Sequence, residues 1–277
     1  MRGTLSALLV IAALLVAAVA GPAMWLQHNV IDRKGFVAFA GPLGGSKEFQ
    51  AGLTSLLAGQ ATASLQLPPQ LNAVAGTVIS AAARSVYTEP GYEAAWRETL
   101  QRSHDLTFEA AGNTDVAGDI MLDVAPLVDL VVEKVAGDLP FSLPTPGDVV
   151  INVEQARVAR LLPAASTLGG WSGWLVFIAV DLLALGVIVA RRRSLALLLS
   201  GVGLAIVALL WLLAAGFAQA FLADLAAGPE AARQVGVELG ALAEASWQGG
   251  IHATFAIAAL IAVAGGAALM VRRRHTT

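Results

Sequence analysis

The chain has 277 residues, of which 57% are hydrophobic and only 13% charged, with a formal net charge of −3. Ordinary soluble domains carry about 25% charged residues, so this composition argues against that class and for a membrane. Zero cysteines exclude disulfides, thiolate metal sites and a cysteine nucleophile, and no basic patch with interleaved aromatics offers a nucleic-acid footprint.

A bilayer's hydrocarbon core is about 30 Å thick and needs roughly 20 helical residues to cross. Leu5–Leu26 is the first segment of that kind. Arg2 ahead of it and Ala18-Val19-Ala20 before Gly21 also fit a signal peptide. The apolar run continues through Met24-Trp25-Leu26, which favours an uncleaved anchor over residues 1–26.

Residues 27–170 then read as a separate, mostly helical domain with a small β element. Gly41-Pro42-Leu43-Gly44-Gly45 is a turn, Ser46 starts a helix, and Phe49, Leu53, Leu56 and Leu57 give that helix an apolar stripe. Pro68-Pro69 opens a second helix through about Arg84. Thr88 is an N-cap candidate, with Glu89 and Pro90 in the first turn of a third helix. On that helix Trp96, Leu100 and His104 recur every four residues and share a face. LTFEAA and GDIMLDV read as short strands around a Gly-Asn turn, and DVVINV as another. APLVDLVVEKVAG between them is an amphipathic helix, and LPFSLPTPGD is a Pro-rich connector. From Glu154 the chain is helical again, with interruptions at Pro163 and Gly169-Gly170.

Three further spans follow: residues 171–190, 195–217 and 251–271. They are joined by a short loop at 191–194 and by a helical hairpin at 218–250, and a tail at 272–277 closes the chain. The hairpin's Phe221, Leu225, Val235, Leu239 and Leu242 need a surface to cover them. Arg2, Arg191, Arg192, Arg193, Arg272, Arg273 and Arg274 sit on the short segments and account for seven of the 17 basic residues. All acidic residues but Asp181 lie on the long segments. The positive-inside rule therefore predicts a multi-pass plasma-membrane protein with both termini cytoplasmic and residues 27–170 outside. Trp25, Trp171 and Trp174 stand where an interfacial aromatic belt is expected.

The Asn29-Val30-Ile31-Asp32 stretch, Phe36-Val37, the helix with Trp96, Arg102 and His104, and the Gly118–Pro126 segment with Asp123 together resemble a family of uncharacterised actinobacterial integral membrane proteins with four spans and a large exported domain. The family pattern commonly has Thr after the Asn, where Val30 stands here. The resemblance implies membership of the cell envelope and brings no catalytic residues with it.

Asp181, in the middle of the second span, is the sharpest candidate. An acidic residue at a span centre costs about 2.5–3.5 kcal/mol on insertion scales, so such residues usually face a bundle interior or a polar cavity. It lies ten residues from Arg191, about 15 Å along a helix, too far to snorkel. Ser200, about 6 Å nearer the cytoplasm, could donate to it. Three roles are open: a protonated group hydrogen-bonded inside the bundle, a docking group for another subunit or membrane protein, or a carrier of protons or cations.

Small residues repeat every four positions at Thr254-Ala258-Ala262-Gly266 and Ala13-Ala17-Gly21, a spacing that lets helices close on one another or dock a partner. In the outer domain, His104 with Asp105, Asp119 and Asp123 can be drawn as a metal or acid–base site. The bland reading makes His104 a packing residue and Asp119 and Asp123 the solvated face of a strand. No nucleophile, phosphate or dinucleotide motif is present, and no cofactor is implied.

The expectation is a four-helix membrane bundle with a mostly helical extracytoplasmic domain, acting without enzymatic activity as an interaction, scaffold or sensing module. Its partners are the bilayer and a second membrane protein or copy. A small transporter or accessory subunit using Asp181 is the alternative, and it requires a watery path to Asp181 between spans. An exported hydrolase is the third reading.

Overall fold

Apolar runs uninterrupted by charge become the long helices, and the segments punctuated by Gly, Pro and charge become the shorter elements. The computed structural model describes residues 2–64, 77, 80–81, 84–112, 120–136, 150–153, 160–225 and 230–274. In chain order the elements are α1 (Arg2–Leu26), a π-helical turn (Gln27–Ile31), α2 (Arg33–Ala40), a 3₁₀ turn (Gly41–Gly45), α3 (Lys47–Ser64) and α4 (Tyr92–Gly112). There follow β1 (Ile120–Asp123), α5 (Ala125–Ala136), β2 (Val150–Val153), α6 (Leu162–Gly170), α7 (Ser172–Val189), α8 (Arg193–Leu225) and α9 (Glu230–Arg274). They form two units: Met1–Ile31, Ala165–Gln219 and Ala243–Thr277 in one, Asp32–Ala164 and Ala220–Leu242 in the other.

The first unit contains four helices long and apolar enough to cross a membrane, within α1, α7, α8 and α9. Close backbone approach at small residues joins them. Ser6 donates a 2.7 Å hydrogen bond to the Gly186 carbonyl, tying α1 to α7. A Cβ on Gly201 would stand 2.5 Å from the Ala262 nitrogen, and one on Gly265 2.4 Å from the Leu198 nitrogen, so α8 and α9 touch through their backbones. The small-residue stripe at Ala258 and Ala262 thus closes a helix pair inside the chain. In α1, Pro22 cannot give the Ala18 carbonyl its usual helical donor, and the Trp211 indole of α8 donates to that oxygen instead at 2.9 Å. The Trp25 and Trp247 rings stack with centroids 5.6 Å apart, and the Trp25 indole donates to Ser246.

The second unit is built on Ala40, Leu43, Phe49, Leu53, Val86, Tyr92, Trp96, Leu100 and Leu127, with Leu239 and Leu242 of the hairpin packed against them. The Gly-Pro-Leu-Gly-Gly turn is held by side chains on every side. Trp96 donates to the Gly41 carbonyl at 3.1 Å, and Tyr92 and Gln50 donate to the Gly44 carbonyl at 2.9 and 2.7 Å. Gly44 lies under the Trp96 indole, where a Cβ would be 2.4 Å from the ring. Ser46 accepts from the Phe49 amide and starts α3 as its sequence predicts.

Two expectations are corrected. Thr88 does not cap the third helix: its hydroxyl turns back to the Ser85 carbonyl, and α4 begins at Tyr92 after a turn containing Pro90. LTFEAA is not a strand but the end of α4, because the four-residue repeat of Trp96, Leu100 and His104 runs on to Phe108 and outweighs local β preference. β1 and β2 pair antiparallel, with Leu122 opposite Ile151. The far edge of β1 is met by α4: Thr107 Oγ1 accepts from the Met121 amide and Ser103 Oγ from the Asp123 amide, at 3.2 and 2.9 Å. Four helical residues rise about 6 Å and two strand residues about 6.6 Å, so hydroxyls at i and i+4 match alternate strand amides. The helix expected after Pro68 lies mostly outside the described residues, as do the Pro-rich connector and the Gly-Asn turn.

Candidate functional site

Which way α7 presents Asp181 is decided by its small residues. Ser172, Ala179 and Gly186 are the buried positions of this helix, spaced by seven, and Gly186 lies against Leu9 and Val10 of α1. At about 100° per residue, Asp181 stands roughly 180–220° from each of those three positions. It is exposed, on the side of α7 turned away from the seam. Of the three roles open to Asp181, a hydrogen-bonded group inside the bundle is the one this direction does not favour. The signal was available in the sequence, because a seven-residue spacing of Ser, Ala and Gly marks the seam and thereby the opposite face.

Depth can be ordered from the helix contacts. Gly186 meets Leu9 and Val10, Gly203 meets Leu14, and Gly201 meets Ala258 and Ala262. Asp181, the tenth of the 18 residues of α7, is therefore near the middle of the bundle. The arginines flanking the spans sit at their ends, at Arg2, Arg191 to Arg193 and Arg272 to Arg274. No described residue donates a hydrogen bond to Asp181 or forms an ion pair with it. Ser200 is fully buried at 1% exposure, and its hydroxyl has no hydrogen-bond partner among the described residues. The two candidates are thus not brought together.

On the exposed side of α7, Asp181 is flanked by Trp174, Phe177 and Ile178 before it and by Leu185 and Ile188 after it. Trp174 and Phe177 meet edge to face at 6.2 Å. The result is an apolar stripe, at helical spacing, with one carboxyl group in its middle.

The second unit's candidates separate onto two faces of α4. His104, 7% exposed, packs against Phe36 and stacks on Phe108 with centroids 4.5 Å apart. Asp105 next to it pairs with Arg33 at 2.8 Å. Asp123 is buried rather than on a solvated strand face. Its Oδ1 accepts from the Ala125 amide at 2.9 Å and starts α5, and Arg102 lies 3.8 Å from Oδ2. Arg102 in turn is held by Glu98, whose hydrogen bond pushes the guanidinium pKa up. Asp123 therefore has a structural task on the Ser103 face, while His104 faces the phenylalanines. Asp119 lies outside the described residues. Among those described, no three His, Asp or Glu side chains gather as a metal site would require. Comparison of the chain with family models, curated proteins and solved structures finds no match, so the family resemblance rests on its motifs alone.

Proposed function

We propose that this protein is a multi-pass membrane protein of the cell envelope whose second unit works outside the cytoplasm as a non-enzymatic interaction, scaffold or sensing module. The observation that carries the reading is Asp181, which faces away from its own bundle without a partner in it among the described residues. A group kept for internal structure would turn inward, and one serving transport would line a path between spans. The outward position favours assembly over both. The clustering of seven arginines on the short segments supports cytoplasmic termini. In the second unit, Asp123 caps α5 and Asp105 pairs with Arg33, which suits a docking scaffold better than a hydrolase.

The absence of cysteine makes the test direct, since any introduced cysteine is the sole thiol. Exposed Ala94 on α4 and exposed Arg192 between α7 and α8 are each replaced by Cys in the full chain. On intact cells a membrane-impermeant maleimide should label Ala94→Cys at once and Arg192→Cys only after permeabilisation. A bifunctional impermeant reagent on Ala94→Cys should then link the unit to another envelope component. Reversed labelling would refute the orientation. Failure to form any adduct from Ala94→Cys, or from Pro42→Cys at a second exposed position, would refute the interaction role.

A further inference from the structure

We infer that the outward face of α7 docks a membrane-spanning helix of a different protein carrying a lysine or arginine at the depth of Asp181. This rests on the proposed membrane-embedded interaction role and adds the chemistry of the partner. The face is continuous: Trp174, Phe177, Ile178, Leu185 and Ile188 are all exposed, and they repeat at three- and four-residue intervals on either side of Asp181. That is the pattern by which one helix lies along another, with apolar contacts above and below one polar anchor.

Charge complementarity selects the occupant. A carboxyl group at mid-span, on the side of the helix away from its own bundle, is met best by a basic side chain supplied from outside the chain. Among the described residues none stands at that depth, because the span-flanking arginines lie at the helix ends. His252, at the middle of the 45-residue α9, lies six residues before Ala258, about 9 Å along the helix from the point where Ala258 meets Gly201. A second copy, inserted the same way round, would bring only another Asp181 to the same level. Like would meet like, so a different protein is the better fit.

The test uses the full-length chain in its native membrane. A photoreactive amino acid replaces Ile178 or Leu185, one turn to either side of Asp181, and Leu260, 71% exposed on α9, serves as the reference position. Irradiation should yield, from the two α7 positions, an adduct with an integral membrane protein that has a Lys or Arg within a span. Asp181→Asn should lower that adduct at least tenfold without changing expression or the products at Leu260. Exchanging the charges, with Asp181→Lys here and the partner's basic residue changed to Asp, should restore it. An adduct unaffected by Asp181→Asn would overturn the proposal. So would an adduct made only of a second copy of this chain, or products with lipid alone. The maleimide experiment reports sidedness and the outer unit independently, so the two readings fail separately.

Discussion

Replacing Trp211 by Phe removes the indole N–H that serves the Ala18 carbonyl, and that oxygen then has no donor because residue 22 is a proline. An orphaned buried carbonyl costs about 1–3 kcal/mol, whereas interhelical hydrogen bonds measured in membranes average about 0.6 kcal/mol and reach about 1.7. A value near 1 kcal/mol is therefore expected for this contact, on top of the packing lost with the larger ring. The two parts separate in a double-mutant cycle with Pro22→Ala, which restores a backbone N–H one turn after Ala18. In the Pro22→Ala background the oxygen has a helical donor, so Trp211→Phe should there lose only its packing part. The coupling energy between the two substitutions should be about 1 kcal/mol, with Pro22→Ala relieving Trp211→Phe. Reversible unfolding in mixed micelles, followed by circular dichroism, measures all four proteins. A coupling of zero, or a larger loss for Trp211→Phe when Pro22→Ala is also present, would refute the proposed exchange of donors.

Three other outcomes are expected. Gly44→Ala drives a Cβ to 2.4 Å from an indole pinned by its bond to Gly41, so it should cost about 1–3 kcal/mol, read as an earlier melt of near-ultraviolet dichroism. Asp181→Leu in the isolated protein should leave stability equal or higher, since it removes an insertion penalty of about 2.5–3.5 kcal/mol and breaks no bond among the described residues; a lower unfolding midpoint would reveal an internal partner. Tyr87 and Tyr92, the chain's two tyrosines, have their phenol pKa values pushed up by burial. A raised folded-state pKa means that the stability due to the neutral phenols is complete below about pH 10 and drains away as pH rises beyond it. Phenolate absorbance should therefore appear together with loss of the second unit's structure, and free titration near pH 10 in folded protein would contradict this.

Hydropathy and charge made the four long helices legible, because length and the absence of charge decide that feature without tertiary information. Ser46, the strands at Ile120–Asp123 and Val150–Val153, and the amphipathic helix at Ala125–Ala136 were legible for the same local reason. Where the reading failed, a non-local partner decided. Thr107 and Phe108 carry strand-like composition, yet Phe108 completes the stripe that stacks on His104. Asp123 looked solvated by alternation, but it ends its strand and turns inward to cap α5. Thr88 had the right identity for a cap and lost its place to a turn ahead of Tyr92. Asp181 was visible as an anomaly, but its direction depended on which small residues face α1. Ser172, Ala179 and Gly186 are those residues, and their seven-residue spacing is a weaker local signal than the four-residue stripes at Ala13-Ala17-Gly21 and Thr254–Gly266.

The hydroxyls of Ser103 and Thr107 have a consequence for how copies of this chain can meet. A free two-stranded sheet has two edges and can be extended indefinitely from both, which is the route to fibres. Here one edge is already occupied by a helix, so each molecule has at most one edge to offer from this sheet. With a valence of one, edge-to-edge pairing ends at a dimer and polymer growth has no second step. Thr107→Val would free only the Met121 amide, because α4 and the Ser103 hydroxyl still cover the same edge, so the valence stays at one.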